Sequence, residues 1–247
     1  MRKFYVAAAA AQTGMTMTIL STLERLRRSL VNSAGTVVFG MEDGTVSIFG
    51  LIFGVAATTT NPATVLIAGA SGAVAAAVSM MAGAYLDVET TRDGIEAKRT
   101  ALQSDAALDA AAATLPSQLA AAGLSAEQSA ALAGAVQDNR AALCGLVLAL
   151  EGRDDAALNP WEQALWMLFA DFAAAAVPIL PFVFLPIAVA RVVSGVVTFA
   201  LLVGLGIGRA HIAQRSVART VLETVSIGIA AAVAGVAISM VIDRWFH

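Results

Sequence analysis

Apolar residues fall into five long stretches that carry few charges and are separated by more polar segments. A helix needs roughly 20 apolar residues to cross about 30 Å of hydrocarbon, and each stretch is long enough. An Asn61-Pro62 turn separates the first two, which should therefore form an antiparallel hairpin. The pattern predicts an all-α membrane protein with five transmembrane helices. The predicted spans are residues 37–60, 62–86, 163–185, 187–208 and 221–242.

Residues 87–162 are more polar and predict a soluble helical insertion between spans two and three. Their composition favours a helix over 87–114 and a short piece over 116–123. A longer helix should follow over 125–150, because it opens with the S-x-x-Q pattern of a capping box. We therefore expect an N-terminal amphipathic segment, a two-span hairpin, the insertion, and a three-span region. Their predicted bounds are 1–35, 36–86, 87–162 and 163–247.

The composition fits a membrane protein and excludes several functional classes. The chain has 247 residues, is 58% hydrophobic and 13% charged, and has a mean hydropathy of +0.77. A single cysteine, Cys144, excludes an internal disulfide, and His211 and His247 do not form the ExxH or HExxH patterns of di-iron and zinc sites. A net charge of −3 argues against a nucleic-acid partner. Since no nucleophile and base can be paired, we expect neither an enzyme nor a bound cofactor.

Basic residues concentrate on one side of the predicted spans, which sets the orientation in the membrane. Arginines precede the first span, five basic residues lie in the insertion, and three arginines separate spans four and five. Arg191 and Arg244 would face the other side. The N-terminus and the insertion should therefore face the cytoplasm, and the C-terminus should face away from it.

The N-terminal residues allow two interpretations. The sequence MRKFYVAAAAAQ has the basic start, apolar run and alanines of a secretory signal peptide. Its cleavage would place a free N-terminus outside, against the charge cluster Leu26-Arg27-Arg28. The other interpretation is a loose extension that leads into an amphipathic helix over residues 18–30, on the cytoplasmic membrane surface. The charge cluster favours the second.

Glu42 and Asp43 stand at the head of the first apolar stretch, where a charge is costly and usually has a function. At helical spacing, Asp43 shares a face with small residues, and two glycine pairs have the GxxxG spacing that lets helix backbones approach closely. We expect Asp43 at a tight helix interface, whereas Glu42 either lines the same path or lies in water at the cytoplasmic mouth. The small residues on the face of Asp43 are Gly40, Ser47, Gly50 and Gly54.

Met80 occupies a similar strip of small residues on the second span. A carboxylate oxygen from Asp43 and a thioether sulfur from Met80 would together suit a borderline divalent transition metal better than calcium or magnesium. Asp43 could also take up a proton, so that metal and proton would compete for one site, which is the basis of antiport. The alternative is that Met80 only packs, as most methionines in apolar helices do. The strip contains Gly69, Ala73, Ala76, Gly83 and Ala84.

Asp171 and Glu223 are two further candidate acids, and Asp171 has several possible roles. Asp171 lies within the third predicted span, where it could pair with Arg191, line a path or relay a proton. Glu223 follows Arg219 by four residues and predicts a local ion pair at a helix end. Three prolines between residues 178 and 186 predict a kink and the turn into the fourth span.

Three separated stretches resemble signature sequences of the vacuolar iron transporter family. They read DGTVSIFGLIFGVAAT from residue 43, VLIAGASGAVAAAVSMMAGAYL from residue 65 and NPWEQALWMLFADFAAAAVPILPF from residue 159. The insertion, with its AAGLS turn and LALEG exit, is similar to the bacterial branch of that family. Since the three motifs occur in order, the resemblance covers the chain from about Gly40 to its end.

The resemblance implies a homodimer of five-helix subunits with the ion path at the subunit interface. It implies export of ferrous iron or manganese from the cytoplasm in exchange for protons, past Asp43 and Met80, and we expect Glu42 on the same route. It also implies that acids of the insertion collect metal at the cytoplasmic entrance. The expected partners are a second subunit, divalent metal ions, protons and membrane lipid, and the expected location is a bacterial inner membrane. The candidate metal-binding acids of the insertion are Asp93, Glu96, Asp105, Asp109, Glu151 and Asp154.

The sequence departs from the family pattern at two places. The family's GEY reads Gly83-Ala84-Tyr85, which lacks the glutamate, and the insertion has few glutamates among many alanines. Weaker metal capture or a different ion is therefore expected, and a solvated helix surface explains the acids of the insertion equally well. The alternative function is that of a degenerate, non-transporting member that acts as a metal-responsive membrane scaffold.

Overall fold

The computed structural model describes residues 21–150 and 159–246, which fold almost entirely into α-helices. No strand occurs among these residues, so the predicted all-α class is confirmed. The chain divides into two compact units. The membrane unit comprises Met1–Ala84 and Trp161–His247, and the insertion unit comprises Tyr85–Pro160.

The helices from Ala34 onward are numbered in chain order. They are α1 (Ala34–Thr58), α2 (Pro62–Ala101), α3 (Asp105–Ala121), α4 (Ala126–Val136), α5 (Arg140–Leu150), α6 (Pro160–Ile179), α7 (Pro181–Phe184), α8 (Ile187–Ile212) and α9 (Val217–Phe246). In the described part of the chain, α1, α2, α6, α8 and α9 are long and apolar enough to cross a membrane. The five predicted spans are therefore confirmed by length and composition.

Glycines let α1 pack against α9 with the two backbones in close contact. A Cβ atom on Gly50 would lie 2.8 Å from the carbonyl oxygen of Ala231, and one on Gly54 would lie 2.6 Å from that of Gly235. These are the α1 glycines whose GxxxG spacing predicts close approach. Apolar side chains of α1, α2, α6, α7 and α8 form the adjoining core, which includes Ile48, Ile52, Val65, Ala73, Ala175, Phe182 and Ala190.

The three prolines near the end of the third span mark the turn to the fourth, as predicted. Pro178 lies in the last turn of α6, the short α7 begins at Pro181, and α8 begins directly after Pro186. Ser194 on α8 donates a hydrogen bond to the carbonyl oxygen of Pro178 at 2.8 Å, which fastens the end of α6 to α8.

The first helix of the insertion unit differs from its prediction. α2 continues without a break to Ala101, so the predicted helix start at residue 87 is wrong. The change from apolar to polar composition alters what the side chains contact, but the residues after it still favour a helix. The next helix, α3, begins after Ser104, whose hydroxyl accepts a hydrogen bond from the backbone N–H of Ala107 at 3.3 Å.

Pro116 lies inside α3 and does not begin a separate piece. A proline within a helix costs about 3 kcal/mol, yet Leu115 and Leu119 on its two sides are both buried in the core of the insertion unit. Packing of these leucines against Leu143 and Val147 of α5 favours the continuous helix.

The predicted capping box at Ser125 and Gln128 is present and begins α4. The predicted helix over 125–150 is nevertheless split, because Asn139 caps a new helix, α5. Its side-chain oxygen accepts a hydrogen bond from the backbone N–H of Ala142 at 3.0 Å. A short polar side chain that bonds to the backbone in this way competes with helix continuation.

Residues 21–32 are helical and lead to α1, which agrees with the described part of the predicted helix over 18–30. Ser29 accepts a hydrogen bond from the indole N–H of Trp166 on α6 at 2.7 Å, so this helix is attached to the membrane unit. The signal-peptide interpretation concerns the first twelve residues, which lie outside the described residues.

Candidate functional site

A cavity of about 360 Å³ lies between α1, α8 and α9 in the membrane unit. α1 contributes one helix face, since its lining residues between Gly35 and Val46 are mostly three or four positions apart. α8 contributes Arg209, and α9 contributes an isoleucine. Both acids of the first span, Glu42 and Asp43, line this cavity.

Glu42 is buried in an ion pair. It is 9% exposed, and Arg209 Nη1 donates to its two carboxylate oxygens at 3.0 and 3.3 Å. Thr224 on α9 donates a further hydrogen bond to Oε1 at 3.0 Å. The interpretation that places Glu42 in water is therefore wrong, because α8 and α9 cover it with a cation and a hydroxyl group. The Glu42–Arg209 pair also leaves little net charge at this side of the cavity.

Asp43 has a different environment from its neighbour. It is half-buried and its carboxylate opens on the cavity. The structure gives it no hydrogen bond or salt bridge with any residue in 21–150 or 159–246. A carboxylate in this position can accept either a cation or a proton, which is the chemistry expected of it from the sequence.

Asp171 lies on α6 and is fully buried against α1. It is 0% exposed, and neither carboxylate oxygen has a hydrogen-bond partner among the described residues. A Cβ on Gly44 would collide with the backbone of Asp171 and would lie 2.9 Å from its Oδ1, so the carboxyl group lies against the backbone of α1. Asp43 precedes Gly44 on α1 and is therefore next to this contact in the chain.

Arg191 does not neutralise Asp171. Its guanidinium group donates to the carbonyl oxygen of Ala56 and, at 3.0 Å, to that of Thr59, at the C-terminal end of α1. These carbonyls have no partner within the helix, and a cation beside them is favourable. The predicted Asp171–Arg191 pair is therefore wrong.

Met80 is half-buried on α2. The residues that line the cavity of Asp43 come from α1, α8 and α9, and Met80 does not belong to them. A single subunit thus does not bring Met80 to the Asp43 cavity. The pairing of these two residues in one path stays a prediction.

The candidate acids of the insertion are solvent-exposed where the structure describes them. Asp93 and Glu96 are exposed on the surface of α2, and Arg92 and Arg99 flank them. Asp105 pairs with Arg140 at 2.7 Å, and Asp109 is exposed. The described residues contain no group of three or more His, Cys, Asp or Glu side chains that could hold a metal. Two further candidates, Glu151 and Asp154, lie outside the described residues.

Glu223 makes the local ion pair that its spacing predicts. Arg219 Nε donates to it at 3.1 Å, and Arg215 lies 3.7 Å away. Sequence reasoning did not predict Arg209 and Thr224 as the partners of Glu42. The buried face of α9, with Thr220, Thr224 and Gly228 four residues apart, is a signal that could have identified one of them.

The comparisons with known proteins agree with this architecture. The model of the VIT family matches residues 34–240, which include α1, both acids of the first span and the start of every later helix. The chain belongs to the VIT family. A relative from Centaurea cyanus named "Vacuolar iron transporter" is 27% identical over 206 residues, which cover 80% of this chain and 83% of the relative. "Vacuolar iron transporter 1" from Arabidopsis thaliana is 27% identical over 216 residues, which cover 84% and 85%.

Membership of the VIT family and the five apolar helices together identify a multi-pass integral membrane protein. Many large apolar side chains of these helices are exposed in the subunit, such as Ile67 on α2 and Phe199 on α8. In a bilayer these surfaces can contact lipid or another apolar helix, whereas Glu42 and Asp171 are buried within the bundle.

Proposed function

We propose that this VIT-family protein exports a divalent transition metal, Fe²⁺ or Mn²⁺, from the cytoplasm in exchange for protons. Family membership supports metal-ion transport over catalysis, and both relatives are named as vacuolar iron transporters. The observation that carries the proposal is the carboxylate of Asp43, which faces a cavity within a bundle of spanning helices and has no salt bridge among the described residues.

The exchange follows from the chemistry of Asp43. A carboxylate binds a proton or a divalent cation, and it does not bind both with full strength at once. A metal ion that reaches Asp43 therefore displaces a proton, and a proton that arrives from the other side promotes release of the metal. Glu42 lies on the same route, but Arg209 already neutralises it, so its part is to position the guanidinium group and the cavity wall.

The proposed path continues at the subunit interface of a homodimer, where Met80 adds a soft sulfur ligand. The half-buried position of Met80 on α2 supports this, since a second subunit could cover it. Sulfur together with carboxylate oxygen favours Fe²⁺ or Mn²⁺ over Ca²⁺ and Mg²⁺. We place the N-terminus and the insertion in the cytoplasm, from the distribution of Lys and Arg, and the bacterial location rests on the resemblance of the insertion to the bacterial branch.

A second candidate function is a metal-responsive scaffold that no longer transports. The exposed acids of the insertion favour it, because Asp105 is held by Arg140 and no cluster of three ligands occurs in the described residues. The unpaired Asp43 favours transport instead, because a scaffold has no need of a carboxylate that faces a cavity between spanning helices.

Purified protein in proteoliposomes tests the proposal, with Fe²⁺ or Mn²⁺ outside, an imposed pH gradient and a pH dye inside. We expect metal uptake that requires the gradient, with protons moving in the opposite direction. Uptake that persists after the gradient is collapsed would contradict antiport. Absence of flux for both metals would leave the scaffold as the better account.

A further inference from the structure

We propose that Asp171 is a second metal-binding carboxylate of the membrane unit, which acts with Asp43 on the transported ion. The inference rests on the proposed export of a divalent metal past Asp43. It assigns a function to a residue of the third span that lies outside the cavity lined by Asp43 and would extend the path from that cavity towards α6.

Asp171 has no hydrogen-bond partner among the described residues. The residue is 0% exposed, and both carboxylate oxygens are without a hydrogen-bond donor among the described residues. Buried polar groups are nearly always satisfied, and an unsatisfied one marks a functional site or a missing ion. A membrane protein that retains an intramembrane acid of this kind generally uses it.

No cation among the described residues of α8 neutralises Asp171. The two arginines of α8 are both engaged elsewhere: Arg191 binds the carbonyl oxygens of Ala56 and Thr59, and Arg209 binds Glu42. The residue before Gly44, which packs against Asp171, is another acid, Asp43. Two carboxylates on adjoining faces of this helix contact, neither of them paired with a cation among the described residues, offer a site that a cation from outside can complete.

Asp171 on α6 contacts a face of α1 that adjoins the position of Asp43. Gly40 and Gly44 form the face of α1 that packs on α6, against Met167 and Asp171. Asp43 is three residues after Gly40, or about 60° around the helix. It therefore lies between the cavity-lining face of α1 and the face that contacts Asp171. Asp43 and the contact of Asp171 with Gly44 are therefore on adjoining faces of α1.

The carboxylates of Asp43 and Asp171 together have the chemistry to bind one divalent ion. Two carboxylates carry the charge that balances one divalent ion, and their oxygens suit Mn²⁺ and similar ions. No third His, Cys, Asp or Glu joins them in the described residues, so the ion would keep some of its water ligands. A site with few protein ligands releases its ion readily, as transport requires.

The test compares Mn²⁺ flux into proteoliposomes for the natural protein and for Asp171→Asn, which keeps the shape and removes the charge. Loss of an outer-shell partner weakens metal binding about 10- to 100-fold, so loss of a direct ligand should raise KM for Mn²⁺ by at least about tenfold. The Mn²⁺-induced rise in the melting temperature of the detergent-solubilised protein should shrink in the same variant.

Thr198→Val is the matched control, because Thr198 on α8 is also 0% exposed and its hydroxyl lacks a partner among the described residues. It should leave KM and the Mn²⁺ response unchanged.

The outcomes separate this inference from the proposed function. Absence of flux in the natural protein would overturn the proposed function itself. Normal flux with an unchanged KM and melting response in Asp171→Asn would overturn only the assignment of Asp171. Asp171→Ala provides a smaller side chain should the asparagine disturb packing. If neither variant folds, Asp171 is a structural residue and the assignment is also overturned.

Discussion

Glu42 and Asp43 are adjacent in sequence but differ in what their side chains contact. One residue along a helix is a turn of about 100°, which directs Glu42 to Arg209 and Thr224 and leaves Asp43 at the open cavity. The same carboxylate chemistry therefore serves two purposes. Glu42 joins α1 to α8 and α9, and Asp43 remains available to an ion.

The Glu42–Arg209 pair gives a prediction about stability. Arg209→Ala would leave Glu42 buried without its cation, which costs 3 to 5 kcal/mol in a fully buried pair; because the Arg209 side chain is 37% exposed, we expect about 2 kcal/mol. Chemical unfolding in detergent micelles measures the loss. Arg219→Ala is the control, since its pair with Glu223 is exposed and should contribute less than about 0.5 kcal/mol. Equal stability of the two variants would contradict the structural importance assigned to Arg209.

At the scale of elements, the close contact between α1 and α9 depends on the lack of side chains at two glycines. The backbones of Gly50 and Gly54 approach those of Ala231 and Gly235 so closely that any Cβ would displace one helix. This contact is what sets the position of α1, and therefore of Asp43, against the helices that form the cavity.

Gly54→Ala tests that contact. The added methyl group would meet the carbonyl oxygen of Gly235 at 2.6 Å and the hydroxyl of Ser239 at 2.7 Å. Overpacking of this kind costs roughly 1 to 3 kcal/mol, so we expect a lower melting temperature and weaker flux. Gly204→Ala is the matched control, because its Cβ would meet nothing within 4 Å. A Gly54→Ala protein as stable as the control would show that α1 and α9 are not in close contact.

The sequence is sufficient to predict the five spans because hydrophobic length is a local property, and the stretches from residue 37 onward show it directly. The helix ends of the insertion are harder to predict. Pro116 indicates a break, but burial of Leu115 and Leu119 outweighs it, and that burial depends on contacts with a distant helix. Local signals succeed where the side chain bonds its own backbone, as at Ser125.

The candidate site is predictable only in part, for the same reason. Asp43 is identifiable because acids are rare in an apolar stretch, and Asp43 with its neighbour Glu42 stands at the head of one. The pairing of Glu42 with Arg209 joins residues 167 positions apart, and the contact of Asp171 with Gly44 requires the packing of α6 on α1. Neither follows from spacing along one helix, so the sequence left Asp171 three possible roles, of which the fold excludes pairing with Arg191.

At the scale of the whole molecule, the proposed function assigns capture of the ion to the insertion unit and its passage to the membrane unit. The proposed export assigns weak, rapid collection of ions to exposed acids of the insertion unit, which form no three-ligand cluster among its described residues. The membrane unit carries the acids inside the bundle, where a metal and a proton can compete. Transport should therefore depend far more on Asp43 than on any single acid of the insertion.

The most direct test of this account is Mn²⁺ flux into proteoliposomes under a fixed pH gradient, measured for the natural protein, Asp43→Asn and Asp109→Asn. Asp43→Asn keeps the size of the side chain and removes the charge, and Asp109→Asn makes the same change at an exposed position of the insertion. We predict that flux is lost in Asp43→Asn and nearly unchanged in Asp109→Asn. Flux through folded Asp43→Asn at the natural rate would contradict the central claim that the metal crosses the membrane by binding at Asp43.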